Sequence, residues 1–139
     1  MPPTLGGSSS ERFRAYPTNR IIAILKSSTA ANAAAADLVA AGIPASSIET
    51  ACGEEGLRKV DFTGERHGIW ARIFRAIQGI GELAEYKERF EQALRGGECL
   101  LAVDAAAEPV RQLAHQRLKA SGARYINFFA PLKVQRLEP

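Results

Sequence analysis

The residues best suited to chemistry lie in one charged, glycine-punctuated run, Asp61-Phe62-Thr63-Gly64-Glu65-Arg66-His67-Gly68. An imidazole titrates near neutrality, and Asp61 and Glu65 are close enough in sequence to His67 to orient it as an acid or base. Arg66 adds a guanidinium suited to an anion. Asp61, Glu65, Arg66 and His67 are therefore the candidate ligand-binding residues. A loop histidine that hydrogen-bonds a backbone carbonyl or covers a neighbouring helix explains the same residues without any function. No metal or other cofactor is expected. His115 is far away in sequence, no closely spaced histidine pair exists, and Cys52 and Cys99 lack ligand spacing. Gly53-Glu54-Glu55-Gly56 lacks the Gly-Lys-Ser/Thr end of a phosphate loop, and its paired glutamates repel an anion.

Two cysteines are too few for a disulfide framework, so reduced thiols are the simple expectation. Cys52, however, closes one strand and Cys99 opens the next. Were those strands antiparallel neighbours, the sulfurs would lie close together and a redox pair becomes the alternative.

The elements that position these residues follow from apolar spacing. Arg20 to Lys26 is an aliphatic run too short for a helix, which suits a buried strand. Ser27-Ser28-Thr29 supplies capping oxygens to an alanine-rich helix over 30–41, which Gly42 stops. Ser47 to Cys52 reads as a second strand and Gly53 to Gly68 as a loop. Ile69, Ile73, Ile77 and Ile80 then recur at helical spacing, followed by Leu83, Tyr86, Phe90 and Leu94, with Glu85/Arg89 and Glu91/Arg95 four residues apart. After Gly96-Gly97 the opening pattern repeats. A strand begins at Cys99, Pro109 starts a helix with Val110, Leu113, Ala114 and Leu118 on its buried face, and Tyr125 to Phe129 closes the unit. Both helices end in Leu-x-Ala-x-Gly, at Gly42 and at Gly122. The stretch 131–137 alternates through Leu132 and Val134, as an edge strand, a crossover or plain extended chain would.

Two strand-helix-strand units most economically share one four-stranded antiparallel sheet with both repeat helices on one face. The expected class is α+β, a ferredoxin-like βαβ repeat with a helical insertion, residues 69–95, between strands 2 and 3. Residues 1–19 are proline-, glycine- and serine-rich and read as a flexible N-terminal tail, leaving 20–139 as a single domain.

Composition narrows the function classes. The chain has 139 residues, 46% hydrophobic, enough for a core. Its net charge of +3 comes from 18 basic and 15 acidic residues spread along the sequence, so neither nucleic acid nor membrane is strongly indicated. No apolar run reaches bilayer-spanning length and the N-terminus lacks a secretory apolar core, so the expected setting is soluble and cytoplasmic. Arg66, Arg72, Arg75, Arg89 and Arg95 suit an anionic lipid surface or RNA, but a solvated helix face has the same pattern. Tyr125, Phe128 and Phe129 lack the alternating basic and glycine residues of an RNA-binding sheet. Phe128 and Phe129, with Trp70, are instead candidate interface residues for a homodimer.

The chain resembles the small bacterial general-stress, heat-induced-stress type domains. The likeness lies in Ile22-Ala23-Ile24 followed by a helix ending Leu38-x-x-x-Gly42, in Tyr86 to Gly97 running into Leu100-Leu101-Ala102-Val103, and in Leu118-x-x-x-Gly122-Ala123. A narrower resemblance to uncharacterised bacterial proteins rests on Gly64-Glu65-x-His67-Gly68, the arginine-punctuated stretch Arg72 to Gln78, and Tyr125 to Phe129. The family's insertion is often glycine-rich and strongly apolar; here it carries isoleucine, tryptophan and arginine. The resemblance implies a ferredoxin-like domain without an established reaction. The resulting expectation is a stress-associated, non-enzymatic binding or self-association domain, homodimeric, with a small ligand or protein partner at the His67 loop and the sheet margin. The alternatives are a small enzyme using His67 with Asp61 or Glu65 on an anionic substrate, and a peripheral membrane or nucleic-acid binder.

Overall fold

The computed structural model describes residues 19–60, 83–130 and 133–139. In chain order the elements are β1 (Arg20–Leu25), α1 (Ser28–Ala40), β2 (Ile48–Cys52), α2 (Gly53–Val60), α3 (Leu83–Arg95), β3 (Cys99–Asp104), α4 (Glu108–Ala120), β4 (Arg124–Ala130) and β5 (Lys133–Glu138). The class is α+β, and the sheet has five strands in the order β2-β3-β1-β4-β5, every neighbouring pair antiparallel. The four-strand expectation therefore gives way to five. The extra strand is β5, whose alternating residues return from β4 and pair Phe129 with Val134 and Phe128 with Gln135.

The central strands read as unbroken aliphatic runs because both sheet faces are covered. All six β1 residues are buried. Ile21, Ala23 and Leu25 meet α1 and α4 through Ala31, Ala34, Leu38, Ala114 and Leu118. Ile22 and Ile24 turn to the opposite face, where Tyr86, Phe90, Ala93 and Leu94 of α3 and Leu57 of α2 pack. The duplicated units place β1 beside β3, with Ile21 opposite Val103 and Ile24 opposite Leu100.

The shared Leu-x-Ala-x-Gly ends fold alike. Gly42 and Gly122 take φ of 105° and 86°, and the following N–H groups, of Ile43 and Ala123, each donate over 3.0 Å to the carbonyls of Leu38 and Leu118. This is a Schellman stop, which needs a left-handed residue at the glycine. At the start of α1, Ser27 Oγ accepts the Ala30 N–H at 3.1 Å, as its capping role requires.

One expected loop is partly helical: Gly53–Val60 forms α2 rather than an irregular connection. Its glycine and charge density mask the pattern, but Glu54 and Glu55 occupy the first turn, where the helix dipole favours them. Gly56 sits where α2 presses against the end of β2. In α3 the expected Glu91–Arg95 pair forms at 3.5 Å. Glu85 instead reaches Arg136 of β5 at 4.0 Å, and Arg89 lies over the Tyr125 ring at 5.2 Å.

Candidate functional site

Several polar side chains converge at the sheet margin between α4 and β5. The apolar stripe of α4, with Ala114 and Leu118 buried, faces the sheet. That leaves Glu108, Arg111, Gln112, His115 and Lys119, each three or four residues from another of the set, along the side nearest the added strand. Glu108, Arg111, Gln112 and His115 line a cleft of about 170 Å³ with Gln135 and Leu137 of β5.

Two fixed groups define its chemistry. Arg111 lies over Phe128, its guanidinium carbon 4.0 Å from the ring centroid. It donates from Nε to the Ala105 carbonyl at 3.3 Å and from Nη2 to the Ala106 carbonyl at 3.1 Å. These acceptors are neutral, so they fix the group without cancelling its charge. His115 Nε2 stands 3.0 Å from Glu138 Oε2, and Lys119 Nζ approaches the same oxygen at 3.4 Å. The hydrogen bond from His115 is the main reason the Glu138 carboxyl titrates below its ordinary value; partial desolvation opposes it and Lys119 reinforces it. With the Nε2 proton directed at the carboxylate, a neutral His115 keeps Nδ1 as an acceptor. Sequence distance set His115 aside. Its pairing with Glu138 becomes visible only once β5 folds back on β4.

A second site lies at the far margin. Cys52 of β2 faces Cys99 of β3 directly, and a disulfide joins them with Cα atoms 4.1 Å apart. The strand neighbours are those the sequence anticipates, but the expected reduced thiols are corrected to a bridge. Cys99 is fully buried while Cys52 stays partly exposed. Beside β2, a shallow groove of about 210 Å³ runs between α1 and the strand, lined by Asn32, Ala35, Val39, Ile48 and Thr50 among others.

A third polar place is buried. Arg20, 3% exposed, pairs with Asp104 at 3.0 Å across β1 and β3. On β4, the fully buried Asn127 donates to the Tyr125 carbonyl at 3.2 Å, and among the described residues its Oδ1 has no partner.

Asp61, Glu65, Arg66, His67 and Trp70 lie outside the described residues. The interface candidates Phe128 and Phe129 are both buried within the chain, on opposite faces of β4. Phe128 lies beneath Arg111, and Phe129 is edge-on to Tyr86 at 5.4 Å. Among the described residues no cluster of three His, Cys, Asp or Glu side chains is able to hold a metal ion, and no helix is long and apolar enough to cross a membrane. No protein-family model matches this chain, and neither a curated protein nor a solved structure matches it.

Proposed function

We propose that the chain is a non-enzymatic binding domain that holds a compact polar ligand between α4 and β5 and works as a homodimer. The observation that carries this reading is the cleft itself, a concave site lined by a fixed cation. Its volume matches the space of about six waters, which suits a ligand of amino-acid size. Arg111 supplies positive charge with no carboxylate partner among the described residues, Glu108 accepts from a ligand donor, and Gln112 and Gln135 offer amides that do both. The favoured ligand therefore bears an anionic group and a hydrogen-bond donor.

The remaining expectations belong to the same proposal. Strand order β4-β1-β3-β2 with a helix after β1 and another after β3 supports a ferredoxin-like layout to which β5 is added. Each end of the sheet is a strand paired on one side by described residues, which supports a second copy as partner. The stress-associated, cytoplasmic setting rests on the sequence resemblance.

Amide chemical-shift titration of the full chain tests the ligand. Glycine carries both required groups, acetate only the anion and methylammonium only the donor. Saturable shifts confined to α4 and β5 with glycine, weaker with either half and absent in Arg111→Gln, support the reading. No cleft response to glycine at tens of millimolar removes it. Sedimentation equilibrium tests the dimer, and a monomer at high micromolar concentration dismisses that part.

A further inference from the structure

We infer that Cys52 and Cys99 form a redox-active pair that exchanges with an external dithiol, entered through Cys52. Three observations converge on this reading, none of which involves the cleft at α4 and β5.

The first is asymmetry. Cys99 has no exposed surface, whereas Cys52 is partly open at the end of an outer strand. Thiolate attack needs access to one of the two sulfurs, and of the two residues Cys52 is the one with exposed surface. The second is that the strands do not depend on the bridge to stay adjacent. β2 and β3 are paired from Ile48/Val103 to Cys52/Cys99, and beyond the bridge the Gly53 N–H donates to the Glu98 carbonyl at 3.1 Å. After reduction the two thiols therefore remain across from one another, ready to close again. The third is an approach path. On β2, Ile48 and Thr50 share a face with Cys52 by strand alternation, and both line the groove against α1. Cys52 is the next residue on that face beyond Thr50, so a dithiol laid along the groove is directed toward it.

The chemistry balances with the dithiol as reductant. One of its thiolates attacks Cys52 Sγ, forming a mixed disulfide and expelling the Cys99 thiolate, which takes up a proton. The reductant's second thiolate attacks its own sulfur in the mixed disulfide and expels the Cys52 thiolate, which is protonated in turn. Two electrons pass to the protein, and the reductant leaves as a disulfide.

Treatment of the folded chain with millimolar dithiothreitol, followed by maleimide-polymer labelling and far-ultraviolet circular dichroism, tests the inference. Both thiols are expected within minutes with an unchanged spectrum, and oxidised glutathione should restore the bridge. In the single variants, Cys52 of Cys99→Ser should form a mixed disulfide with glutathione at least ten times faster than Cys99 of Cys52→Ser. Release of thiols only in denaturant, loss of structure on reduction, failure to re-form the bridge, or equal reactivity of the two cysteines would each overturn it and leave a purely structural crosslink or none.

Discussion

Gly56 lies so close to Ala51 that a Cβ added to it would stand 2.9 Å from the Ala51 carbonyl carbon and 3.0 Å from Leu94 Cδ2. One neighbour is backbone and cannot swing aside. Alanine improves helix propensity by about 1 kcal/mol, while overpacking a tight contact costs roughly 1–3 kcal/mol. Gly56→Ala should therefore lower stability despite favouring helix, read as a lower urea midpoint at unchanged slope. A raised midpoint would show that α2 does not press on β2.

Phe90 is fully buried between α3 and the sheet, edge-on to Tyr125 at 5.8 Å. Truncation leaves a cavity that the surrounding rings cannot fill. Phe90→Ala should cost about 3–5 kcal/mol, and a loss below about 1 kcal/mol in denaturant titration would contradict α3 as the second cover of the sheet.

Two aspartates should differ sharply. Asp37 meets Arg117 at 3.2 Å on the surface, both partners substantially exposed, and Asp37→Ala should change stability by less than about 1 kcal/mol. Asp104 meets the buried Arg20, so Asp104→Ala removes a carboxylate from a guanidinium held away from water. The loss expected there is roughly 3 kcal/mol. Equal effects in thermal melts would reject the burial of Arg20.

Glu138 carries a pH signature. Its carboxyl is lowered in the folded chain by His115, so its contribution is present above the unfolded carboxylate range and is lost as pH falls through the folded value. Glu138→Gln should be less stable than the parent at neutral pH, and the gap should close in acid. Melting curves across that range that keep the gap constant would count against the His115–Glu138 pairing.

Tyr125 gives the opposite end of the scale. Burial, with Tyr86 beside it, raises its phenol above the ordinary value. The unfolded chain then ionises first, and stability falls as pH rises past the normal tyrosine range of about 10. Tyr125→Phe should lose part of that alkaline decline, and superimposable alkaline profiles would refute a shielded phenol.

Much of the architecture was legible because the signals were local. Ser27, the alanine run and the Gly42 and Gly122 stops each act within a few residues of themselves, so α1 and α4 were readable from sequence. The duplicated aliphatic runs likewise implied that β1 and β3 lie together. What escaped depended on distant partners. Gly56 reads as a helix breaker unless Ala51 and Leu94 are known to crowd it. Leu132 and Val134 alternate in a way that fits three conformations, and pairing with β4 selects one of them for Lys133–Glu138. His115 looks isolated because Glu138 is 23 residues away. Cys52 and Cys99 stand at strand ends that become neighbours only if β2 and β3 pair, and even then proximity alone does not specify a bond.

The covalent link between β2 and β3 encloses everything from Gly53 to Glu98, including the segment that carries His67. Hydrolysis of a single peptide bond anywhere in that span would not yield two separable pieces. The nicked polypeptide would still migrate as one species on a non-reducing gel and would part only after thiol treatment.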